Sequence, residues 1–456
     1  MSLLERLEKQ RAVQQPEAKE QHSAARANAV LFSGSSVQLE EYADQRKMVH
    51  SGVITLINEE AVFPTLSEAE QADFVRRAIE TVMIQEDVDI PRGVRAQFVT
   101  ELYNDILGLG PLEPLLADPD ITEVMVNGPD QVYVEIRGKI EATDIKFRDN
   151  NHVMNVINRI VSSIGRRIDE ASPMVDARLA DGSRVNAIIP PVSVTGPSIT
   201  IRKFSKRPLG VSDLIRFSSA SPQMMTFLEA CVKARMNIIV SGGTGSGKTT
   251  LLSVLSGYIP ENERIVTIED AVELQLQQKH VITLESRPAN IEGAGQITIR
   301  DLVRNALRMR PDRIVVGEVR SGETLDMLQA MNTGHDGSLT TAHANSPRDL
   351  MSRLETMVLL SGMEMPVMAI REQVASALDL IVHQARMRDG SRKIVSITEV
   401  VGMEGDTITL QDIYVYKPAG VGGSMRDAFV ATGTHPTFAE KMEANGIIVK
   451  DEWFQN

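Results

Sequence analysis

At 456 residues the chain exceeds one ordinary core, and about 150 residues per domain gives two or three domains. Its 42% hydrophobic and 24% charged content is that of a globular protein and excludes global disorder. A net charge of −13 with 4% aromatic residues argues against a nucleic-acid coat or a single-strand stacking platform. One cysteine, Cys231, excludes an intrachain disulfide and leaves no CxxC pair for zinc.

Residues 1–66 are polar, rich in alanine and serine, and mixed in charge, so a mobile leader with transient helix is expected. The opening MSLLERLEKQRAVQQ lacks the apolar run of a secretory signal, and no stretch approaches the roughly 18 apolar residues of a membrane span. The cytoplasm is the expected compartment. From Ser67 the pattern turns helical: Ser67 and Glu70 have capping-box spacing, and Phe74, Ala78, Val82 and Met83 recur at helical intervals. A second helix over 95–107 and the turn GLGPLEPLL complete a helical region over 67–115.

Residues 116–210 read as an α+β domain. ITEVMVNG and QVYVEIRG alternate around Asn127–Asp130, as in a hairpin. Val153, Val156, Ile157 and Ile160 mark one face of an amphipathic helix. MVDARLADGSRVNAII is a second hairpin with Asp181-Gly182 at its turn, and PSITIRKF adds a strand. KRPLGVSDL reads as a linker. Over 211–417 the strands MNIIVS, RIVTIED, HVITLE, RIVVGEV and SLTTAHA alternate with helices, which predicts an α/β domain with a largely parallel sheet. Residues 418–456 read as an appendage.

Four strand ends carry chemistry. Ser241–Thr250 (SGGTGSGKTT) has the G-x-x-x-x-G-K-T pattern between a buried strand and a helix. Backbone N–H groups across Gly242, Gly243, Thr244, Gly245, Ser246 and Gly247 can converge on phosphate oxygens, and the helix dipole adds to the attraction. Lys248 supplies charge to the β- and γ-phosphates, Thr249 a hydroxyl for Mg²⁺, and Thr250 completes the run. RIVTIEDAVEL ends a strand in Glu269-Asp270, with Glu273 beyond; one of these carboxylates could orient or deprotonate water, though taken alone the pattern is better explained as a polar strand end. RPDRIVVGEVR ends in Gly317, Glu318 and Arg320, where a Mg²⁺-assisting acid is common. His335 and His343 flank a strand in TGHDGSLTTAHANSP, with Thr340 and Thr341 between them; the spacing does not fit a helical metal pair, imidazole and hydroxyl groups suit a γ-phosphate sensor, and a structural hydrogen bond is the commoner role of either histidine alone.

In this order the four elements resemble the ATPases of type II and type IV secretion and pilus assembly: Walker A, acidic box, atypical Walker B and His box. GLGPLEPLLADPDITEVMVNG and DLIVHQARMRDGSRKIVSITEV resemble the tight-adherence (Flp, type IVc) branch, the CpaF/TadA type. The resemblance covers roughly 67–417. It implies a RecA-like P-loop motor preceded by a PAS-like α+β domain, working as a homohexameric ring that uses ATP and Mg²⁺. It also implies Glu269 as the residue polarising water, Glu318 supporting the metal or water network, and His343 as the sensor; the two glutamate roles are interchangeable. N-terminal arginines supply further cations in this family, and Arg184 and Arg202 are the matching candidates. Implied partners are inner-membrane platform proteins, through which the chain would be peripheral to that membrane; nucleic acid is not expected. The tetracysteine zinc insert of many type II secretion ATPases is absent. Conjugation-type traffic ATPases share the motor boxes and are the competing reading, as is a slow nucleotide switch. The Arg300, Arg304 and Arg308 stripe reads as solvated or subunit-facing.

Overall fold

The computed structural model describes residues 41–455 apart from 137, 205–207, 290–293 and 419–427. The chain divides into two compact units between residues 205 and 206.

In the first unit, helices α1 (Ala43–Glu59), α2 (Glu68–Gln85) and α3 (Arg92–Ile106) pack around Val49, Val53, Ile79, Val82, Phe98 and Leu102. The capping box at Ser67 is formed: the Ser67 N–H donates to Glu70 Oε2 at 2.9 Å, and the Glu70 N–H donates to Ser67 Oγ at 3.4 Å. Residues 43–59, which the sequence places within a mobile leader, form α1. Val49 and Val53 are its buried i, i+4 pair, and the many polar residues around them dilute the signal. The rest of that leader, up to residue 40, lies outside the described residues.

After the short α4 (Glu113–Ala117) come β1 (Ile121–Asn127), β2 (Val132–Ile136), β3 (Lys139–Ala142), α5 (Asn150–Ser163), β4 (Met174–Arg178), β5 (Arg184–Ile188) and β6 (Ser198–Arg202). The strands make one antiparallel sheet in the order β3-β2-β1-β6-β5-β4. Val153, Val156, Ile157 and Ile160 of α5 are buried in its core, on the face their spacing predicts. Register then has a consequence for charge. Arg178 pairs with Arg184, and Arg184 with Arg202, so three arginines form one row across adjacent strands.

The second unit carries α6 (Val211–Arg216), α7 (Pro222–Lys233), β7 (Ile238–Gly242), α8 (Lys248–Ser256), β8 (Ile265–Glu269), β9 (Val281–Glu285), α9 (Ile299–Ala306), β10 (Arg313–Val316), α10 (Glu323–Asn332) and β11 (Leu339–His343). Then follow α11 (Pro347–Leu359), α12 (Val367–Ala377), β12 (Leu380–Arg386), β13 (Arg392–Glu404), β14 (Thr407–Lys417), β15 (Ala428–Ala431) and α13 (Ala439–Ala444). The sheet order is β15-β14-β13-β12-β7-β11-β10-β8-β9. From β12 to β9 neighbouring strands are parallel; β13, β14 and β15 extend the sheet antiparallel. The expected α/β fold is thus present, and each of the five predicted motor strands forms. Strands β7, β8 and β10 are buried along their whole length, as a parallel sheet covered on both faces requires. Parallel pairing also brings the carboxyl ends of β7, β8, β10, β11 and β12 to one edge.

The stretch after Pro418, read from sequence as an appendage, supplies β15 to this sheet and aromatic residues to its core. Phe227 of α7 has ring centroids of Tyr414, Trp453 and Phe454 at 5.7, 6.1 and 5.7 Å, and the Tyr414 hydroxyl donates to the Trp453 carbonyl. Trp453→Ala is therefore expected to destabilise the chain by about 3–5 kcal/mol. A denaturant midpoint unchanged from wild type would show that the end of the chain is not part of this core.

Candidate nucleotide site

The Gly242–Lys248 loop runs from β7 to α8 over the edge where the parallel strands end. Gly245 and Gly247 have φ of 68° and 94°, conformations that favour glycine. At Gly242 the constraint is space: a Cβ there would lie 2.1 Å from the Gln384 carbonyl oxygen of β12. Gly243 has open space around it. Backbone amides on such a loop, leading directly into α8, form a cradle suited to phosphate. Lys248, at the first position of α8, is buried. Its Nζ donates to the Gly243 carbonyl at 3.0 Å and lies 3.3 Å from His343 Nε2.

His343 ends β11 and continues this contact. Its Nε2 lies 2.9 Å from Glu318 Oε1, an ion-pair approach without aligned hydrogen-bond geometry. Burial pulls the His343 pKa below its ordinary value; Glu318 opposes that shift and Lys248 reinforces it. Glu318 in turn accepts from Arg320 Nε at 2.8 Å, and Arg320 Nη1 lies 3.5 Å from Asp270. Lys248, His343, Glu318, Arg320 and Asp270, from four strand ends, are thereby linked in sequence. Thr341 Oγ1 holds the β10 end by donating to the Gly317 carbonyl at 2.8 Å. His335 sits before β11, at the strand's opposite end, and does not join the cluster.

Glu269 at the end of β8 has a different environment. It is 2% exposed, and its Oε2 accepts from the N–H groups of Glu273 and Leu274 at 2.8 and 3.0 Å. Its Oε1 has no hydrogen-bond partner among the described residues. Gly317 explains how the carboxylate fits: a Cβ there would lie 2.9 Å from Glu269 Cγ. Burial dominates the two N–H bonds and pushes the carboxyl pKa up to about 7.

No group of three or more His, Cys, Asp or Glu side chains suited to a metal occurs among the described residues. Thr249, half-buried in the first turn of α8, and Glu318 would be the oxygen donors to Mg²⁺, since hydroxyl and carboxylate suit that ion. Arg184 and Arg202 lie in the first unit, in the arginine row. There Arg202 Nε is 3.8 Å from Glu123 Oε1. In the α9 stripe Arg304 and Arg308 are exposed, as read from the sequence, and Arg300 and Arg304 also donate to the buried Asp326 of α10 at 2.8 and 2.6 Å, an intramolecular brace that satisfies that carboxylate.

Sequence reasoning missed the wall that β12 and β13 give the loop. Ser241 Oγ is hydrogen-bonded to His383 Nδ1 at 2.9 Å, and Arg392 Nε donates to the Gly245 carbonyl at 3.0 Å. A signal was available in the three arginines, Arg386, Arg388 and Arg392, around Asp389-Gly390 in RMRDGSR.

The raised pKa of Glu269 has a stability consequence. The fold holds this proton more tightly than the unfolded chain does, so stability falls as pH rises from the ordinary value of 4.5 to about 7 and levels off above. Glu269→Gln removes the titration. Its stability relative to wild type is expected to improve by about 2–3 kcal/mol between pH 5 and pH 8. Denaturant midpoints of both proteins at the two pH values test this; an unchanged difference would mean that Glu269 does not titrate there.

The family model described as type II/IV secretion system protein matches residues 105–420. A putative conjugal transfer protein of Mycobacterium tuberculosis is 39% identical over 310 residues, 67% of this chain and 88% of that protein. The type IV secretion system protein VirB11 of Brucella abortus is 34% identical over 316 residues, 63% of this chain and 87% of that protein. The crystal structure of the VirB11 ATPase of Brucella suis in complex with sulphate is 32% identical, covering 63% of this chain and 91% of that one, with a TM-score of 0.35. The chain belongs to the type II/IV secretion system protein family, as an ATPase of that family.

Proposed function

We propose that the chain is the ring-forming Mg²⁺-ATPase motor of pilus assembly, of the tight-adherence type. The observation that carries the motor reading is the linked set Lys248, His343, Glu318 and Arg320 beside a glycine loop, with a second, buried carboxylate at Glu269. In this reading the amides of residues 242–248 and the Lys248 ammonium bind the β- and γ-phosphates. Thr249 and Glu318 would hold Mg²⁺, which offsets phosphate charge when bound. Glu269 takes the proton of the attacking water; a carboxyl pKa of about 7 matches a general base at neutral pH. His343, between Lys248 and Glu318, senses the γ-phosphate.

Arg184 and Arg202 supply further cations to the triphosphate. Their support is register: Arg184 stands opposite Arg202 on neighbouring strands, which gathers positive charge in one row. Making that engagement depend on the γ-phosphate would couple hydrolysis to motion of the N-terminal unit. The motion would act on a platform protein of the inner membrane, placing the homohexamer at the cytoplasmic face of that membrane. Among the described residues no helix is long and apolar enough to cross a membrane. A conjugation-type traffic ATPase is the second reading, favoured by the similarity to the mycobacterial conjugal transfer protein and to VirB11. A strain carrying Lys248→Ala separates them: loss of surface pili supports the first, and intact pili with failed macromolecular transfer supports the second.

Lys248→Ala is expected to abolish hydrolysis in the purified chain, because the phosphate-directed charge is lost. Turnover near wild type would remove the loop from the mechanism. Arg184→Ala and Arg202→Ala are expected to lower turnover by roughly 100-fold or more while ADP affinity stays near wild type. Equal weakening of ATP and ADP would show that these arginines do not read the γ-phosphate.

A further inference from the structure

The sequence R-x-x-D-G-S-R occurs twice, as Arg178–Arg184 and as Arg386–Arg392. Both copies fold into the same hairpin turn. The N–H of Leu179 donates to the Ser183 carbonyl at 2.9 Å, and that of Met387 to the Ser391 carbonyl at 2.7 Å. Asp181 Oδ1 accepts from the Ser183 N–H at 2.9 Å, and Asp389 Oδ1 from the Ser391 N–H at 2.9 Å. The glycines have φ of 91° and 85°. In each copy the turn sets the two arginines directly opposite one another, Arg178 with Arg184 and Arg386 with Arg392.

The second copy stands beside the P-loop. Arg392 Nε donates to the Gly245 carbonyl at 3.0 Å, and its Cδ lies 3.1 Å from where a Cβ on Gly247 would be. Arg386 Nη1 lies 3.7 Å from the corresponding point on Gly245. Beneath them Gln384 is 3% exposed, its amide about 3.5–3.6 Å from the Cβ position of Gly247, with no hydrogen-bond partner for its Oε1 among the described residues. The hairpin is anchored from behind: Lys393 Nζ donates to the Ser218 carbonyl at 2.9 Å, and the Ile394 N–H to the Ser219 carbonyl at 2.8 Å. Two opposed guanidinium groups at a phosphate-binding loop form a site for a polyanion, and guanidinium forks suit phosphate oxygens.

We propose that the Arg386–Arg392 hairpin is a second cationic wall of the nucleotide site, binding the diphosphate portion common to ATP and ADP. Arg392 is a positioning residue that fixes the P-loop through the Gly245 carbonyl; Arg386 is the binding residue that meets the nucleoside diphosphate. This rests on the nucleotide site described above but assigns residues that the motor boxes do not contain. It also separates the two hairpins by function: the first reads the γ-phosphate, the second holds what remains after hydrolysis.

The test uses the full-length chain with Mg²⁺, titrated with ADP and with a non-hydrolysable ATP analogue. Arg386→Ala and Arg392→Ala should each weaken both ligands by a similar factor, roughly tenfold or more. KM for ATP should rise by more than kcat falls. Arg392→Lys keeps the charge but loses the Nε–H donor and should recover only part of the affinity. Melting of the nucleotide-free proteins reports folding, and the exposed Arg386 carries the test if Arg392→Ala does not fold. ADP binding within about twofold of wild type in Arg386→Ala and in whichever Arg392 variant folds overturns the inference, and weakening confined to the ATP analogue does the same. Full recovery by Arg392→Lys overturns the positioning role of its Nε. A wild-type chain that binds no nucleotide would instead overturn the nucleotide site itself.

Discussion

The close approach of β12 to the end of β7 fixes the geometry on which the nucleotide site depends. With the Gln384 carbonyl 2.1 Å from the Cβ position of residue 242, only glycine fits at the point where the strand becomes the loop. The approach follows from parallel pairing of Val382 with Val240 and of Gln384 with Gly242 deep in the sheet. A comparable constraint acts at the end of β10, where Gly317 leaves room for the Glu269 side chain. One glycine admits a backbone and the other a carboxylate. The atypical Gly317-Glu318 ending thus has a steric cause in the neighbouring strand.

Around this frame the charges sort into two environments. Lys248, Glu318, Arg320 and Asp270 alternate in sign, with His343 between the first two, so a buried ammonium is compensated through a chain of neighbours. Glu269 stands apart, held by two backbone N–H groups with no ion pair among the described residues, and burial raises its pKa. Two carboxylates at adjacent strand ends therefore differ in what surrounds them. One is a nearly isolated buried acid and the other a member of an ionic network.

Legibility in the sequence followed the physics of each feature. Motor strands β7 to β11 are short apolar runs ending in glycine or charged residues, so their positions and their shared carboxyl edge could be read directly. Helix α1 was missed because Val49 and Val53 sit among polar residues, and its burial depends on α2 and α3. Trp453 and Phe454 were missed because their partners, Phe227 and Tyr414, are far away in sequence. The brace of Arg300 and Arg304 on Asp326 joins two helices and leaves no periodic trace. Contacts of Arg392 and Gln384 with the loop arise only when β12 is placed beside β7, which an order of strands along the chain does not specify.

The repeated hairpin shows how a local rule produces a site property. A side chain of Asp that accepts from the amide two residues on, followed by glycine at positive φ, fixes the turn, and the turn fixes the register. With register fixed, arginines three residues before and three after the aspartate meet on opposite strands. Neither pairing is favourable on charge alone. In the first unit the row is extended by Arg202 and partly compensated by Glu123; in the second the opposed pair is set against a glycine loop whose carbonyl takes one N–H donor. The same seven-residue solution concentrates positive charge in both units of a chain that is otherwise strongly acidic.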